Sequence, residues 1–252
     1  MSPRGEHQAA REGWLNSLQS MAGTVVIALF VVTFLAQAFQ IPSESMENTL
    51  LIGDYLLVDK LQFSDPGPWA GALPYAQVRR GDIIVFRYPV NPEQHFVKRV
   101  VGLPGDRVRL INKRLRVNGM LIREKYAVNH RRDYDTYRDE FPVRGLVSAN
   151  VESAWWSQMK DLIQGSELVV PPGQYFVLGD NRDRSLDSRY WGFVPRENII
   201  GRPLLIYWSV ADPPERAAPA ISRQDGKLVT FARSVMRFFA NIRWDRFLQL
   251  VS

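Results

Sequence analysis

The chain has 252 residues, 46% of them hydrophobic and 23% charged, and a formal net charge of +6 from 32 Lys+Arg against 26 Asp+Glu. It has no cysteine, which excludes a disulfide scaffold, a Cys-ligated zinc site and a thiol nucleophile. Its three histidines (His7, His95 and His130) are far apart in sequence, so no His-pair metal motif exists.

The first element in chain order is a run from Met21 to Phe39, nineteen residues without a charge. As a helix it would span about 28 Å, close to the hydrocarbon thickness of a bilayer, and Pro42 would stop it. Ala36-Gln37-Ala38 has the small-x-small form of a cleavage site, so a removed leader is the rival reading. The run is longer than a leader's apolar core, and Glu6 and Glu12 lie before it, so a retained transmembrane anchor is expected. Arg4 and Arg11 precede the run, while the twenty residues after it, Gln40 to Asp59, hold no Lys or Arg and carry Glu44, Glu47, Asp54 and Asp59. That asymmetry places residues 1–20 in the cytoplasm and the body outside.

Beyond the anchor the hydrophobic period shortens. Asp82–Phe86, Phe96–Val101, Val108–Ile111, Leu115–Val117, Gln174–Leu178 and Leu204–Ser209 read as strands. Asn112-Lys113-Arg114 reads as a hairpin turn and Asn118-Gly119 as the next turn. The expected fold is mainly β, an antiparallel-sheet core with an inserted smaller lobe, preceded by one N-terminal transmembrane helix. The expected division is leader 1–20, anchor 21–39, β domain 40–122 and 166–210, inserted lobe 123–165, linker 211–226 and amphipathic C-terminal segment 227–252. The lobe is polar and aromatic, with Tyr126, Tyr134, Tyr137, Phe141, Trp155 and Trp156. The C-terminal segment repeats Leu228, Phe231, Val235, Phe238, Phe239 and Ile242 at helical spacing, with Arg233 and Arg237 on another side. Such a helix either packs on the body or lies on a membrane.

Charge is local: residues 107–144 hold eleven Lys/Arg and five Asp/Glu, a surplus of six. The basic residues are spread along strands, not gathered on a helix. A solvated or lipid-facing surface therefore fits better than a nucleic-acid surface.

Three segments carry chemistry. Ser43 and Ser45 lie just past the apolar run, and Ser after Pro by itself signals only a turn. A serine nucleophile needs a base. His95 is off the relevant strand face and reads as a surface residue. Lys98 shares a face with Phe96 and Val100. Burial there lowers an amine's pKa, and a neutral amine can take a proton from a serine hydroxyl. A snorkelling edge lysine is the bland alternative. Gly179–Val194 packs Asp180, Arg182, Asp183, Arg184, Asp187 and Arg189 together. A calcium loop is disfavoured there because arginines interleave with the carboxylates; a polar network that positions something is the better reading.

Taken together, PSESM (42–46), RGDIIVF (80–86), FVKRVVGLPGD (96–106) and GDNRDRSLDSRYWGFV (179–194) resemble the signature boxes of bacterial type I signal peptidases. The resemblance runs to about Ser209, with a weaker match at Ile242–Phe247. It implies a membrane-anchored serine endopeptidase that removes signal peptides after a small-x-small motif. It implies Ser45 as nucleophile, Lys98 as general base, Ser43 as oxyanion hydroxyl, Ser185 as the group orienting Lys98, and Asp180, Arg182, Asp187 and Arg189 as an ion-pair scaffold. Glu44 and Asn48 stand where the family often has Gly and Pro. The expected partners are secretory preproteins and a phospholipid membrane, without nucleic acid, cofactor or metal, and the chain is expected to act as a monomer in the bacterial inner membrane. A self-cleaving repressor with the same dyad would need a helix-turn-helix and no anchor. A binding module would tolerate loss of Ser45 and Lys98.

Overall fold

The computed structural model describes residues 3–30, 36–60, 76–145, 148–211 and 241–251. Helix α1 (Pro3–Phe30) comes first and strand β1 (Ala36–Gln40) follows. This corrects the expected span, whose last four residues, Ala36–Phe39, are strand and not helix. The cause is pairing: β1 lies antiparallel to β2 (Asp54–Asp59), with Ala38 opposite Leu57. An unbroken apolar run does not distinguish a helix end from a strand. Among the described residues no helix is long and apolar enough to cross a membrane. The apolar end of α1 nevertheless leaves Met21, Val25, Val26, Ile27 and Leu29 more than half exposed. Residues 31–35 of the expected anchor lie outside the described residues. So do 212–240, which hold nearly all of the expected linker and most residues of the helix expected in the C-terminal segment.

The body is built on two antiparallel sheets. The larger sheet adds β3 (Ile83–Arg87), β4 (His95–Gly102), β10 (Gln174–Leu178), β11 (Val194–Pro195), β12 (Ile199–Ser209) and β13 (Gln249–Leu250). Its order is β1-β2-β12-β3-β4-β10-β11, with β13 beside β12. The smaller sheet runs β7-β6-β5-β9-β8. It is formed by β5 (Arg107–Ile111), β6 (Arg114–Val117), β7 (Met120–Leu121), β8 (Ile163–Gln164) and β9 (Glu167–Val169). The β5–β6 hairpin turns on Asn112 and Lys113, both at positive φ, as a tight primed turn requires.

The smaller sheet begins at Arg107, ahead of the 123–165 lobe. Residues within 123–165 supply α2 (Thr136–Asp139) and α3 (Ser153–Leu162). Their Tyr137, Phe141, Trp155 and Met159 pack into one core with Val108, Leu110, Leu115, Phe176 and Phe193. The lobe therefore closes the body's own core. Two further cores share the larger sheet. Ile84, Phe86, Val100, Val177 and Trp191 fill one, and Ile41, Met46, Leu50, Ile83 and Val85 fill the other. Alternation along β3 divides Ile84 and Phe86 from Ile83 and Val85. That is why this strand reads as a continuous apolar run, being buried on both faces.

Candidate active site

Chain exit from β1 sets the site. Pro42 leaves the strand, Ser43 stays extended, and Glu44–Met46 form one 3-10 turn. Met46 is 1% exposed and anchors that turn in the core below it. The first amides of such a turn have no intrahelical acceptor, and Ser43 does not cap them with its side chain. Ser45 is thus a buried hydroxyl beside unspent backbone N–H groups.

Lys98, on strand β4 of the same sheet, is 4% exposed. Its Nζ donates to Ser45 Oγ at 2.7 Å and to Val97 O at 3.1 Å, and it lies 5.3 Å from the centre of the Phe96 ring. Burial drives its pKa down to about 8, with the charges of Asp187 and Asp180 opposing the fall. An unfolded lysine titrates near 10.5, so holding this ammonium in the fold costs about 3 kcal/mol at neutral pH. The sign follows from proton counts. Between pH 8 and 10.5 the unfolded chain holds more protons at this residue, so the cost fades as pH rises. With the amine neutral, the same 2.7 Å contact lets the hydroxyl donate, the geometry a general base needs.

Ser43 Oγ lies 3.3 Å from Ser45 Oγ. Ser185 is buried nearby, but its Oγ has no hydrogen-bond partner among the described residues. It sits close enough to Asp187 to favour that carboxylate's ionisation. No hydrogen bond joins it to Lys98, whose second acceptor is Val97 O. Gly179 packs against both serines. A Cβ built on it would lie 2.2 Å from Ser185 Oγ and 2.4 Å from Ser45 O. His95 is exposed at the start of β4, as expected, and touches Phe39 edge to face at the rim of the cleft.

Behind these groups lies a set of buried charges. Asp187 and Arg189 are fully buried and bidentate, at 2.8 and 2.9 Å. Burial opposes ionisation of Asp187, but the Arg189 charge, its hydrogen bonds and the Gly179 amide hold the carboxyl below its usual range. Arg189 also donates to Arg182 O at 2.7 Å, and Arg182 Nε to Gly179 O at 3.1 Å. Asp187→Ala would strand the Arg189 guanidinium without its anion. It is expected to cost about 3–5 kcal/mol and to lower the thermal midpoint by roughly 10 °C, read by circular dichroism.

Several members of the network are not legible as such in the sequence. Asp180 is held by Arg99 in a bidentate pair (2.9 and 2.8 Å) and by Thr49 Oγ1 at 2.5 Å. Arg182 is paired with Glu124. Asp54, fully buried, accepts from Arg246, which also donates to Thr49 O at 3.0 Å. The weaker motif at Ile242–Phe247 thus reaches the loop after Ser45. Glu44 pairs with Arg184 at 2.7 Å, joining that loop to the Gly179–Val194 segment. Asn48 sits at a φ of +86° and donates to Tyr126 O, a conformation that Asn tolerates and Pro does not.

A cleft of about 290 Å³ opens on this pair of residues, lined among others by Phe39, Ile41, Met46, Phe96, Val97 and Leu186. Among the described residues no cluster of metal-ligating groups occurs.

Residues 14–208 match the family model described as signal peptidase, peptidase S26. The signal peptidase I of Aquifex aeolicus is 37% identical over 253 residues, covering 88% of this chain and 93% of its own. That of Pseudomonas aeruginosa is 37% identical over 228 residues, covering 81% and 76%. A crystal structure of a signal peptidase I from Enterococcus faecalis is 35% identical and covers 50% of this chain and 96% of its own, with a TM-score of 0.37.

Proposed function

The chain belongs to the signal peptidase, peptidase S26, family, and from that premise we propose that it removes N-terminal signal peptides from exported preproteins with a Ser45–Lys98 dyad. The single observation that carries this reading is the buried amine of Lys98, 2.7 Å from Ser45 Oγ with its pKa lowered to about 8.

Neutral Lys98 takes the Ser45 proton as Oγ attacks the substrate carbonyl. The oxyanion is met by the Ser45 N–H and the Ser43 hydroxyl. The tetrahedral intermediate collapses, Lys98 returns the proton to the departing amine, and the signal peptide stays as an ester on Ser45. Water then attacks that ester, with Lys98 again taking the proton. Ser185 supplies a buried hydroxyl to orient the amine during these transfers. Asp180, Arg182, Asp187 and Arg189 hold the surrounding backbone. The preprotein lies extended along β1, which stands at the end of its sheet. Small side chains before the cut enter the cleft at Phe39, Ile41 and Met46.

The apolar N-terminal segment anchors the enzyme, with residues 1–20 in the cytoplasm and the body on the outer face of the bacterial inner membrane. The chain acts as a monomer, without cofactor or metal. The β domain starts with β1 and runs over 36–122 and 166–210, the inserted lobe is 123–165, the linker 211–226, and the terminal segment 227–252 ends in β13 on the larger sheet.

The test is an incubation with a preprotein, followed by mass measurement of both products. The expected result is one cut after a small-x-small triplet, absent with Ser45→Ala. Cleavage by the Ser45→Ala protein, or a cut elsewhere, would overturn the proposal.

A further inference from the structure

The outer face of the smaller sheet carries charge that the cleavage site does not use. Alternation along β5 and β6 buries Val108, Leu110, Leu115 and Val117. It turns Arg107, Arg109, Arg114 and Arg116 to the other face. The register places Arg109 directly opposite Arg116. Like charges so placed destabilise a strand pair, and Glu167 on the adjoining strand makes no ion pair with them. Three of these arginines donate to the neutral oxygens of Gln164, Ser166 and Gly119. Among the described residues none of the four forms an ion pair. One apolar group stands among the charges. Leu121, 48% exposed, is opposite Arg116 on this face, while Met120 is opposite Val117 and so belongs to the other face at the sheet edge.

We propose that this face docks on the anionic phospholipid surface of the bilayer. The inference rests on the anchored reading above and adds a second contact to it. The chemistry selects the occupant. Lipid phosphates give the guanidinium groups bidentate acceptors. The acyl boundary just beneath them receives Leu121. An acidic peptide or a nucleic acid offers the first and not the second. A single apolar anchor leaves the body free to turn, whereas a basic sheet face held at the headgroups fixes how the cleft meets the membrane.

The sequence has no cysteine, so Leu121→Cys in the full chain takes one environment-sensitive fluorophore on the charged face. The protein is reconstituted into vesicles of phosphatidylcholine alone, or mixed with phosphatidylglycerol, and flotation reports the anchor separately. On the mixed vesicles at low salt the emission is expected to shift blue and aqueous quenching to fall several-fold. On phosphatidylcholine neither change is expected. High salt should reverse the effect, and so should the added pair Arg109→Glu and Arg116→Glu, with cleavage of a soluble peptide unchanged. Flotation with equal quenching on both vesicles overturns the docking and leaves the anchor standing. Protection by soluble polyglutamate in place of lipid also overturns it. Failure to float overturns anchor and docking together.

Discussion

Lys98→Met is expected to lower the rate of preprotein cleavage by about a thousandfold or more without weakening the fold. The side chain is 4% exposed and its amine holds the one short contact to Ser45 Oγ. Methionine keeps much of the volume and removes the base. It also removes an ammonium whose burial costs stability at neutral pH, so the thermal midpoint should stay level or rise. Lys98→Arg should be equally inactive, because a guanidinium does not shed its proton in this range. Single-turnover kinetics with a preprotein reads the first effect and thermal unfolding the second. Activity within tenfold of wild type in the Lys98→Met protein would remove the lysine from the mechanism.

Gly179→Ala is expected to cost roughly a hundredfold in kcat, a loss that a displacement of about 1 Å can produce. A methyl at this position meets Ser185 Oγ at 2.2 Å, Ser45 O at 2.4 Å and Ser185 Cβ at 2.5 Å. None of these contacts is the free end of a flexible chain. The Ser45 carbonyl is held by the Asn181 amide at 3.1 Å, so the turn bearing Ser45 must move. Overpacking of this kind also destabilises by about 1–3 kcal/mol. Steady-state kinetics beside a melting curve separates the two losses. A fall in stability with kcat intact would mean that the turn yields elsewhere.

The strands were readable where one or both faces are buried and the turn chemistry is explicit, as in Ile83–Arg87 and the Asn112-Lys113 hairpin. Alternation alone leaves Lys98 open between a buried amine and a snorkelling edge lysine, and the side chain is 4% exposed. Strand β1 was not readable, since AQAFQ continues an apolar run and only its pairing with β2 sets its conformation. The ion partners were hidden for a different reason. Arg99 and Asp180 are 81 positions apart, and Arg246 and Asp54 are 192 apart. Local pattern carries no information on which distant charge will meet which. The buried Asp54 and the Arg99 beside Lys98 were the available signals, because an unpaired charge inside a core is too costly to keep. The inserted lobe looked separate because its aromatics follow no clear period. Its Trp155 and Met159, on a ten-residue helix, nevertheless complete the core under Phe176.

The most direct test of the central claim is the pH dependence of kcat/KM for preprotein cleavage, measured from pH 5 to 10 on the wild-type chain. Burial lowers the Lys98 pKa to about 8, and only the neutral amine can accept the Ser45 proton. The rate should therefore rise tenfold per pH unit on the acid side and level off above an inflection near 8. A rate that is flat across the range, or that falls as pH rises through 8, would contradict a lysine base.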